Sequence, residues 1–507
     1  MMNKNLKIAI VGAGSSYTPE LIEGLSQHRK TLPVKEIVLL DINEERLGIM
    51  EGFVKRYIQH LNYDVKVWST TSREEAFTGA DFISTQIRVG GNKARINDEK
   101  IPLKYGLIGQ ETTGVGGMFN ALRVIPVMIE IAKDVEKYCP DAWIINYSNP
   151  TGLVTEALNK ICNVKIAGLC AGGIRPRWWA SEALDVPEEK IYYDYLGLNH
   201  MNFTYHMTID GRPITDEEFS QVIKKCTTVS QEWMETLHLI PSQYTQYYFH
   251  TKERVQQLKE QDKTRGEAIL ELEKQIFREY ADESNNDKPK TLAKRGGGGY
   301  SKVAIGVMDA IYNDTGKWMV INVANNGTVR FLDDDAVIET ACYVSKNGMQ
   351  PLTIPDYPKA VVGLISAVKT YESLAVEAAI TGNKDIALQA LVAHPLVRDY
   401  DIAKPLLEEM LEAHRDYLPQ FYKNGKYSIH LKDTYGNPLN NERIIFNING
   451  VSYNRVTDNN GYAYLNINLR PGNYTITTLF AGSNQYKSST LINNIYVIST
   501  IYSTNLI

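Results

Sequence analysis

Short apolar runs alternate with helical stretches over the first 150 residues. The runs "KIAIVGAG", "EIVLLDIN", "ADFISTQIRVGG" and "DAWIINYSNPTG" are rich in aliphatic and aromatic residues, and each ends in glycines, an acid or a polar cluster. Because strands that alternate with helices form right-handed βαβ units, this pattern predicts an α/β fold with a mostly parallel, doubly wound sheet.

The pattern changes after about residue 195. The segment "FTYHMTIDGRPI" alternates around Asp210-Gly211 and predicts a hairpin, and long helical patterns follow it as far as about residue 424. We therefore expect a first, Rossmann-like domain over residues 1–195 and a second, α+β domain over residues 196–424.

Beyond residue 424 the chain consists of short alternating segments such as "YSIHLKD", "GYAYLNINL" and "NYTITTLFAG". Clusters of turn-forming residues, such as "DNNG", separate them. This pattern predicts a small antiparallel β-sandwich over residues 427–507.

Composition excludes several classes of protein. A hydrophobic fraction of 43% and a net charge of −5 are typical of a soluble globular protein and argue against a general nucleic-acid binder. No apolar run approaches the roughly 18 residues that span a bilayer, so we expect no membrane segment. The five cysteines lack disulfide or zinc-ribbon spacing, which indicates a reducing, cytoplasmic environment.

A glycine turn follows the first predicted strand. Gly12 and Gly14 lie between that strand and a helix, and Asp41 ends the second strand. A turn in this context brings backbone N–H groups to a pyrophosphate at the helix N-terminus, and the acid can bind a ribose hydroxyl. The third glycine of the usual fingerprint is replaced by Tyr17, so a purely structural turn is the alternative.

Other polar residues also follow predicted strands. Cys170 and His200 lie 30 residues apart, each near the end of an apolar segment, so they can converge at the carboxyl edge of the sheet. A buried thiol and a core histidine are the alternative. Asn146 and Asn149 in "NYSNPTG" suit sugar hydroxyls, and Arg295 lies beside a four-glycine turn that could close on an anion.

Together these segments resemble glycoside hydrolase family 4, the NAD- and metal-dependent glycosidases, and especially its 6-phospho-β-glucosidase branch. The resemblance covers about residues 5–424. It rests on the stretches "VGAGSSYTPELI", "LLDIN", "NYSNPTGLVTEAL", "GLC", "GLNHM", "IPSQY" and "KRGGGGYS". The tail beyond residue 424 lies outside it and resembles the immunoglobulin-like repeats of adhesin-like surface proteins.

The resemblance implies a redox-assisted hydrolysis. NAD⁺ would take hydride from the sugar C3, a base would remove the C2 proton, the aglycone would leave by elimination, and water addition and re-reduction would follow. Tyr244 matches the family's C2 base, and Cys170 and His200 match the ligands of a divalent metal, usually Mn²⁺. The positions expected to bind NAD are Gly12, Gly14, Ser15, Ser16, Thr18 and Asp41.

The resemblance also implies a substrate class. Arg95 and Arg295 match positions that bind a 6-phosphate, and Asn149 matches a substrate-contacting asparagine. We therefore expect hydrolysis of 6-phospho-β-glucosides, whether a phosphorylated disaccharide such as cellobiose 6-phosphate or an aryl glycoside. Family members are commonly homodimers or homotetramers, and we expect the same here.

One position departs from the family pattern. The residue after the metal-ligand cysteine is usually asparagine in the 6-phospho-β branch and aspartate in the 6-phospho-α branch, but here it is Ala171. This change leaves open a family-4-like enzyme for unphosphorylated glycosides or uronides. The sequence is also compatible with a 2-hydroxy-acid dehydrogenase and with an inactive scaffold that carries an adhesin-like tail.

Overall fold

The computed structural model of the 507-residue chain describes residues 5–296, 299–422, 425–467, 469 and 472–497. The chain divides into two compact units, Met1–Leu418 and Pro419–Ile507. Parts of the sequence predictions lie outside the described residues: the middle of the four-glycine turn, the predicted domain boundary at residue 424, and positions 468, 470, 471 and 498–507 of the predicted third domain.

The first unit contains strands and helices in alternation. Its strands are β1 (Leu6–Val11), β2 (Val34–Leu40), β3 (Lys66–Thr70), β4 (Phe82–Thr85), β5 (Trp143–Asn146), β6 (Lys165–Gly168), β7 (Ile191–Leu198), β8 (Met201–Ile209), β9 (Arg212–Pro213), β10 (Ile240–Pro241), β11 (Lys317–Ala324), β12 (Val337–Ser345) and β13 (Gly348–Pro351). Its helices are α1 (Thr18–Gln27), α2 (Glu44–His60), α3 (Arg73–Phe77), α4 (Gly91–Lys104), α5 (Gly114–Tyr138), α6 (Thr151–Ile161), α7 (Arg175–Leu184), α8 (Asp216–Ile223), α9 (Gln231–Leu237), α10 (Gln246–Phe249), α11 (Thr251–Glu260), α12 (Arg265–Ala281), α13 (Lys290–Lys294), α14 (Tyr300–Asn313), α15 (Lys359–Thr381), α16 (Lys384–Ala393) and α17 (Tyr400–Ala413).

One large sheet forms the centre of this unit. Strands β1 to β6 pair in parallel in the order β6-β5-β4-β1-β2-β3, which is the order of the dinucleotide-binding doubly wound fold. The antiparallel strands β11, β12 and β13 extend the sheet beyond β6 to nine strands. The predicted α/β, Rossmann-type fold is therefore confirmed.

The structure adds two features that the sequence pattern did not reveal. Strand β3 is missing from the four predicted strands, because it is an edge strand in which only Val67 is buried. The large sheet also takes strands from both sides of residue 195, since β11 to β13 come from the predicted second domain. The predicted domain boundary between residues 195 and 196 stays a prediction, because the two compact units of the structure divide after Leu418 instead.

A second, smaller sheet presents His200. It has the order β10-β8-β7, with β9 paired to β8. The predicted turn at Asp210-Gly211 is confirmed, because Ile209 pairs with Arg212 across it and both turn residues have positive φ. At the other end of β8, Leu198 pairs with Met201, which leaves Asn199 and His200 as a two-residue turn.

Helices α4 and α5 are joined by a buried ion cluster. Arg123 of α5 donates to both carboxylate oxygens of Asp98 of α4, at 2.8 and 2.6 Å, and His414 Nε2 lies 3.1 Å from the same carboxylate. All three side chains are fully buried. Since breaking such a pair leaves an uncompensated charge, the cluster fixes α4, which also carries Arg95, against α5.

Helix α5 is the one described helix that is long and apolar enough to cross a membrane by length and composition. Its most apolar window has a mean hydropathy of 1.5, and 83% of that window is buried inside the protein. Its apolar surface is thus covered by the chain itself.

The second unit is built from antiparallel strands. After helix α18 (Pro419–Tyr422) its strands are β14 (Gly425–His430), β15 (Arg443–Ile448), β16 (Val451–Val456), β17 (Tyr462–Ile467), β18 (Gly472–Phe480) and β19 (Ser489–Val497). They form one sheet of β14 and β17 and another of order β16-β15-β18-β19. The alternate apolar residues of β15, β17 and β18 share one core, which includes Phe446, Leu465 and Ile476.

Candidate active site

The glycine turn connects β1 to α1 at the centre of the large sheet. Gly12 has a φ of +82°, and a Cβ added to it would lie 2.9 Å from the carbonyl oxygen of Gln86. Both facts require glycine here. Because β1 lies between β2 and β4, the turn is at the point where the strand order reverses, which is where doubly wound sheets bind ligands.

Asp41 lies directly beside this turn. Its carboxylate accepts hydrogen bonds from the backbone N–H of Gly14 at 2.8 Å and from that of Asn43 at 2.9 Å. Arg46 Nε donates to the carbonyl oxygen of Gly14 at 2.9 Å. The structure thus brings together Gly14 and Asp41, which the sequence pattern paired as parts of a dinucleotide site.

The three hydroxyl side chains of the turn bond within the protein. Ser16 Oγ donates to Glu273 at 3.1 Å, Thr18 Oγ1 donates to the carbonyl oxygen of Ala13 at 2.7 Å, and Ser15 Oγ accepts from the Tyr17 N–H at 3.3 Å. These side chains therefore shape the turn. A contact from this turn to a pyrophosphate is better made by backbone N–H groups at the start of α1.

The thiol of Cys170 lies two residues beyond β6. Cys170 is buried, and its Sγ accepts a hydrogen bond from the backbone N–H of Gly172 at 3.3 Å. Burial, reinforced by the negative charge of Glu339, raises the pKa of this thiol to about 12. A bound divalent cation reverses that balance, because a coordinating thiol loses its proton.

Two side chains, those of Thr112 and Tyr244, contact the imidazole of His200. His200 has a φ of +67° in the β7–β8 turn, its Nδ1 lies 3.0 Å from Thr112 Oγ1, and the ring of Tyr244 stacks on it at 3.6 Å between centroids and 11° between planes. Burial lowers the pKa of His200 to about 3, so the ring is neutral. Its Nε2 is buried and has no hydrogen-bond partner among the described residues.

Cys170 and His200 suit a metal site with two protein ligands. A neutral imidazole nitrogen without a partner and a thiol are both donors that divalent transition metals accept. The part of the chain that the structure describes contains no cluster of three or more His, Cys, Asp or Glu side chains arranged to hold a metal. Water and substrate oxygens would therefore complete the coordination shell.

Tyr244 stacks on His200 and lies within electrostatic range of Cys170. It lies in a helical turn, Gln243–Thr245, just after β10, and its ring faces His200. Burial raises the pKa of Tyr244 well above its ordinary value, and the nearby Cys170 and Glu111 raise it further. The phenol is therefore protonated unless a cation lies close to it.

Asn146 and Asn149 have different surroundings, although both follow β5. Asn146 is fully buried; it accepts a hydrogen bond from Thr85 and donates one to Thr151, so it belongs to the interior rather than to a sugar site. Asn149 bonds instead to the side chain of Tyr300, whose pKa is raised well above its ordinary value by burial and then by Cys170. No role was predicted for Tyr300, although it directly follows the four glycines of "KRGGGGYS".

The two predicted phosphate-binding arginines already have carboxylate partners. Arg95 is buried, with its Nε 2.7 Å from Glu99 and its Nη1 3.1 Å from Glu111. Arg295 lies 3.1 Å from Glu273, and its guanidinium covers the ring of Tyr17 at 4.1 Å.

Glu111 connects these arginines electrostatically. It pairs with Arg88 at 2.5 Å and with Arg95. Burial alone would raise the pKa of Glu111, but the positive charges of Arg88, Arg95 and Arg295 hold it below its ordinary range. No role was predicted for Arg88 or Glu273, because a single charged residue outside a recognised motif gives no signal in the sequence; their ion pairs with Glu111 and Arg295 appear only in the structure.

Comparisons with known proteins identify the family. Residues 7–175 match the family 4 glycosyl hydrolase model, and residues 195–397 match the model of the family 4 glycosyl hydrolase C-terminal domain. A probable 6-phospho-beta-glucosidase of Bacillus subtilis is 41% identical over 437 residues, which cover 83% of this chain and 99% of the relative. The 6-phospho-beta-glucosidase of Escherichia coli is 37% identical over 439 residues, covering 83% and 98%.

Solved structures give the same result. The 6-phospho-beta glucosidase of Thermotoga maritima with manganese, NAD⁺ and glucose-6-phosphate has a TM-score of 0.77 and 36% identity, and the match covers 82% of this chain and 99% of that one. The family models end at residue 397, before the second unit begins at Pro419. On this evidence the chain belongs to family 4 of the glycosyl hydrolases.

Proposed function

We propose that the first unit hydrolyses 6-phospho-β-glucosides with the help of NAD and a divalent metal, most simply Mn²⁺. The observation that carries this proposal is the buried Nε2 of His200, which has no partner among the described residues and lies on an imidazole that stacks against Tyr244. The relatives also support the proposal, because they are named 6-phospho-beta-glucosidases and one solved relative contains manganese, NAD⁺ and glucose-6-phosphate. Family membership favours this glycosidase over the 2-hydroxy-acid dehydrogenase.

The predicted metal ligands, the predicted base and part of the glycine turn each have a chemical task in this reaction. When bound, NAD⁺ takes up and returns the C3 hydride, and the metal polarises the oxygens at C2 and C3. Cys170 and His200 hold the metal, and Tyr244, once a nearby cation favours its phenolate, removes the C2 proton. Gly12, Gly14 and Asp41 orient the dinucleotide.

A second set of residues would select the phosphorylated sugar. Arg95 and Arg295 are the proposed phosphate ligands, and Asn149 the proposed hydroxyl ligand. Since both guanidinium groups are held by carboxylates, the phosphate would share donors that are already positioned rather than order free side chains.

A specific observation keeps a second substrate class open. Ala171 is buried, and a Cβ added at Gly299 would lie 3.6 Å from the Ala171 Cβ and 3.0 Å from Trp178. The methyl group of Ala171 itself has no proton to donate to a departing oxygen. Unphosphorylated glycosides or uronides are therefore the second candidate substrates.

The substrate class is tested by comparing kcat/KM for p-nitrophenyl 6-phospho-β-glucoside and its unphosphorylated parent, with NAD⁺ and Mn²⁺ present. Two charge-assisted contacts of about 1.5–3 kcal/mol each predict a preference of roughly 10²–10⁴-fold for the phosphorylated sugar. Arg295→Gln should reduce that preference, whereas Arg212→Gln, which removes an exposed arginine paired with Glu218, should not. Equal rates for both sugars would favour unphosphorylated glycosides or uronides.

We propose further that the second unit is an immunoglobulin-like β-sandwich that serves as a spacer or an interaction module. Its two antiparallel sheets with one shared core support this proposal. We also propose that the enzyme is cytoplasmic and forms homodimers or homotetramers. A chain that stops at Leu418 should keep the glycosidase activity, and loss of that activity would give the second unit a role in catalysis or folding.

A further inference from the structure

The loop before α5, residues 110–113, lies so close to the first turn of that helix that no side chain fits at Gly116 or Gly117. A Cβ added at Gly116 would lie 2.3 Å from the carbonyl oxygen of Gln110, and one added at Gly117 would lie 2.5 Å from the carbonyl carbon of Thr112. Only glycine fits at these two positions, because any larger residue would overlap the backbone of the loop. The loop that carries Gln110 and Thr112 therefore packs with its backbone directly against the first turn of α5.

Within this loop the amide of Gln110 has a defined orientation. The backbone N–H of Thr112 donates to Gln110 Oε1 at 2.6 Å. Because a backbone N–H can only donate, the atom that faces it must be the amide oxygen.

The hydroxyl proton of Thr112 is then assigned as well. Thr112 Oγ1 lies 3.0 Å from the same Gln110 Oε1 and 3.0 Å from His200 Nδ1. A carbonyl oxygen cannot donate, so the hydroxyl donates to it; otherwise two oxygens would face each other without a proton. Thr112 has no second proton to give to His200.

The imidazole must therefore donate to Thr112. A neutral imidazole carries one ring proton, and this contact requires it on Nδ1. Nε2 is left with its lone pair, buried and without a hydrogen-bond partner among the described residues. A lone pair at that position is the state that a metal ligand needs.

We propose that Thr112, oriented by Gln110, is a positioning residue that holds His200 as its Nδ1–H tautomer and so prepares Nε2 to bind the metal. The metal-binding part of this inference rests on the proposed function, which makes His200 a metal ligand. The tautomer itself is a property of the metal-free protein. Residues that fix the other nitrogen of a ligating histidine typically change metal affinity by about 10–100-fold.

The first experiment uses the metal-free full chain labelled with ¹⁵N-histidine. Two-bond ¹H–¹⁵N correlation spectra should show a protonated Nδ1 and an unprotonated Nε2 for His200, with the signals assigned by their loss in His200→Asn. The opposite pattern would overturn the inference without any further variant.

The second experiment measures Mn²⁺ binding by electron paramagnetic resonance, without substrate, in three variants. Thr112→Val removes the acceptor and should raise the Kd for Mn²⁺ about 10–100-fold. Thr112→Ser keeps the hydroxyl and should restore the affinity and the Nδ1–H signal. Thr113→Val is the matched control, because Thr113 Oγ1 is buried and has no hydrogen-bond partner in the described part of the chain.

The outcomes separate this inference from the proposed function. Unchanged Mn²⁺ affinity and tautomer in Thr112→Val would overturn it, and so would equal losses in Thr112→Val and Thr113→Val, which would indicate a packing role. An Nδ1–H His200 in a chain that binds no Mn²⁺ would contradict the proposed metal site but leave the tautomer assignment standing.

Discussion

The glycine turn after β1 and the pair formed by Cys170 and His200 are built in opposite ways. In the turn, the polar groups that the structure describes are satisfied within the protein: the Gly14 N–H donates to Asp41, and the Thr18 hydroxyl donates to the carbonyl oxygen of Ala13. At the pair, Cys170 and His200 Nδ1 also have hydrogen-bond partners, but His200 Nε2 has none among the described residues. The turn is thus closed by its own hydrogen bonds, whereas the pair keeps one buried lone pair available to a ligand.

The largest loss of activity should come from replacing a member of the pair. Cys170→Ala removes one of two metal ligands and should lower kcat/KM by at least about 10³-fold, since the metal supplies several kcal/mol of transition-state stabilisation. Exhaustive chelation should have the same effect. The assay uses p-nitrophenyl 6-phospho-β-glucoside with NAD⁺ and Mn²⁺.

Cys342→Ala is the matched control for this variant. Cys342 is a buried cysteine on β12, so its replacement by alanine creates a similar cavity without removing a proposed ligand. Similar losses in both variants would show that the pair is only part of the core.

The second largest loss of activity should come from removing the hydroxyl of Tyr244. Tyr244→Phe keeps the ring that stacks on His200 but removes the base, so kcat should fall roughly 10²–10⁴-fold. In D₂O the unmutated enzyme should introduce deuterium at C2 of the product, as measured by mass spectrometry.

Tyr63→Phe is the control for the base, because the Tyr63 hydroxyl is buried and has no hydrogen-bond partner in the described chain. Product formed in D₂O without label at C2 would argue against proton removal by any residue.

A smaller effect should come from the turn. Asp41→Asn removes the charge that faces Gly14 and the expected ribose, and charge-assisted bonds of about 1.5–3 kcal/mol predict a Kd for NAD⁺ about 10–100-fold higher. Fluorescence titration measures this Kd. Asp64→Asn, a change at a fully exposed aspartate paired with Lys35, is the control and should leave it unchanged. A normal Kd in Asp41→Asn would assign Asp41 to the structure of the turn alone.

The smallest effect should come from Ala171, beside Cys170. Ala171→Asn introduces a hydrogen-bond donor and should narrow the rate difference between nitrophenyl and sugar aglycones by no more than about tenfold, the value of one neutral hydrogen bond. Ala171→Val adds similar bulk without a donor. If both variants change the ratio of the rates for nitrophenyl and sugar aglycones by the same factor, then the effect of position 171 is steric.

Sequence patterns were sufficient where neighbouring residues decide the structure. Strand β1, the glycine turn and the Asp210-Gly211 hairpin follow from β-branched runs and from positions where φ is positive. Strand β3 could not be recognised, because an edge strand with one buried residue has almost no apolar pattern. The position of Asn146 after β5 predicts a contact with the sugar, yet the side chain is buried and bonds to Thr85 and Thr151, because position in the sequence does not specify the direction of a side chain.

The sequence by itself determined the doubly wound fold, the glycine turn with Asp41 and, through resemblance, the family and the identity of Cys170, His200 and Tyr244 as candidates. Only the tertiary structure decided what surrounds them: Thr112 on His200 Nδ1, Tyr244 against the imidazole face, and carboxylates on each arginine. The physical reason is the separation along the chain over which each of these effects acts. Backbone preferences and apolar periodicity act between neighbours in the chain, whereas the protonation of an imidazole and the pairing of a guanidinium depend on atoms that only folding brings within about 3–4 Å.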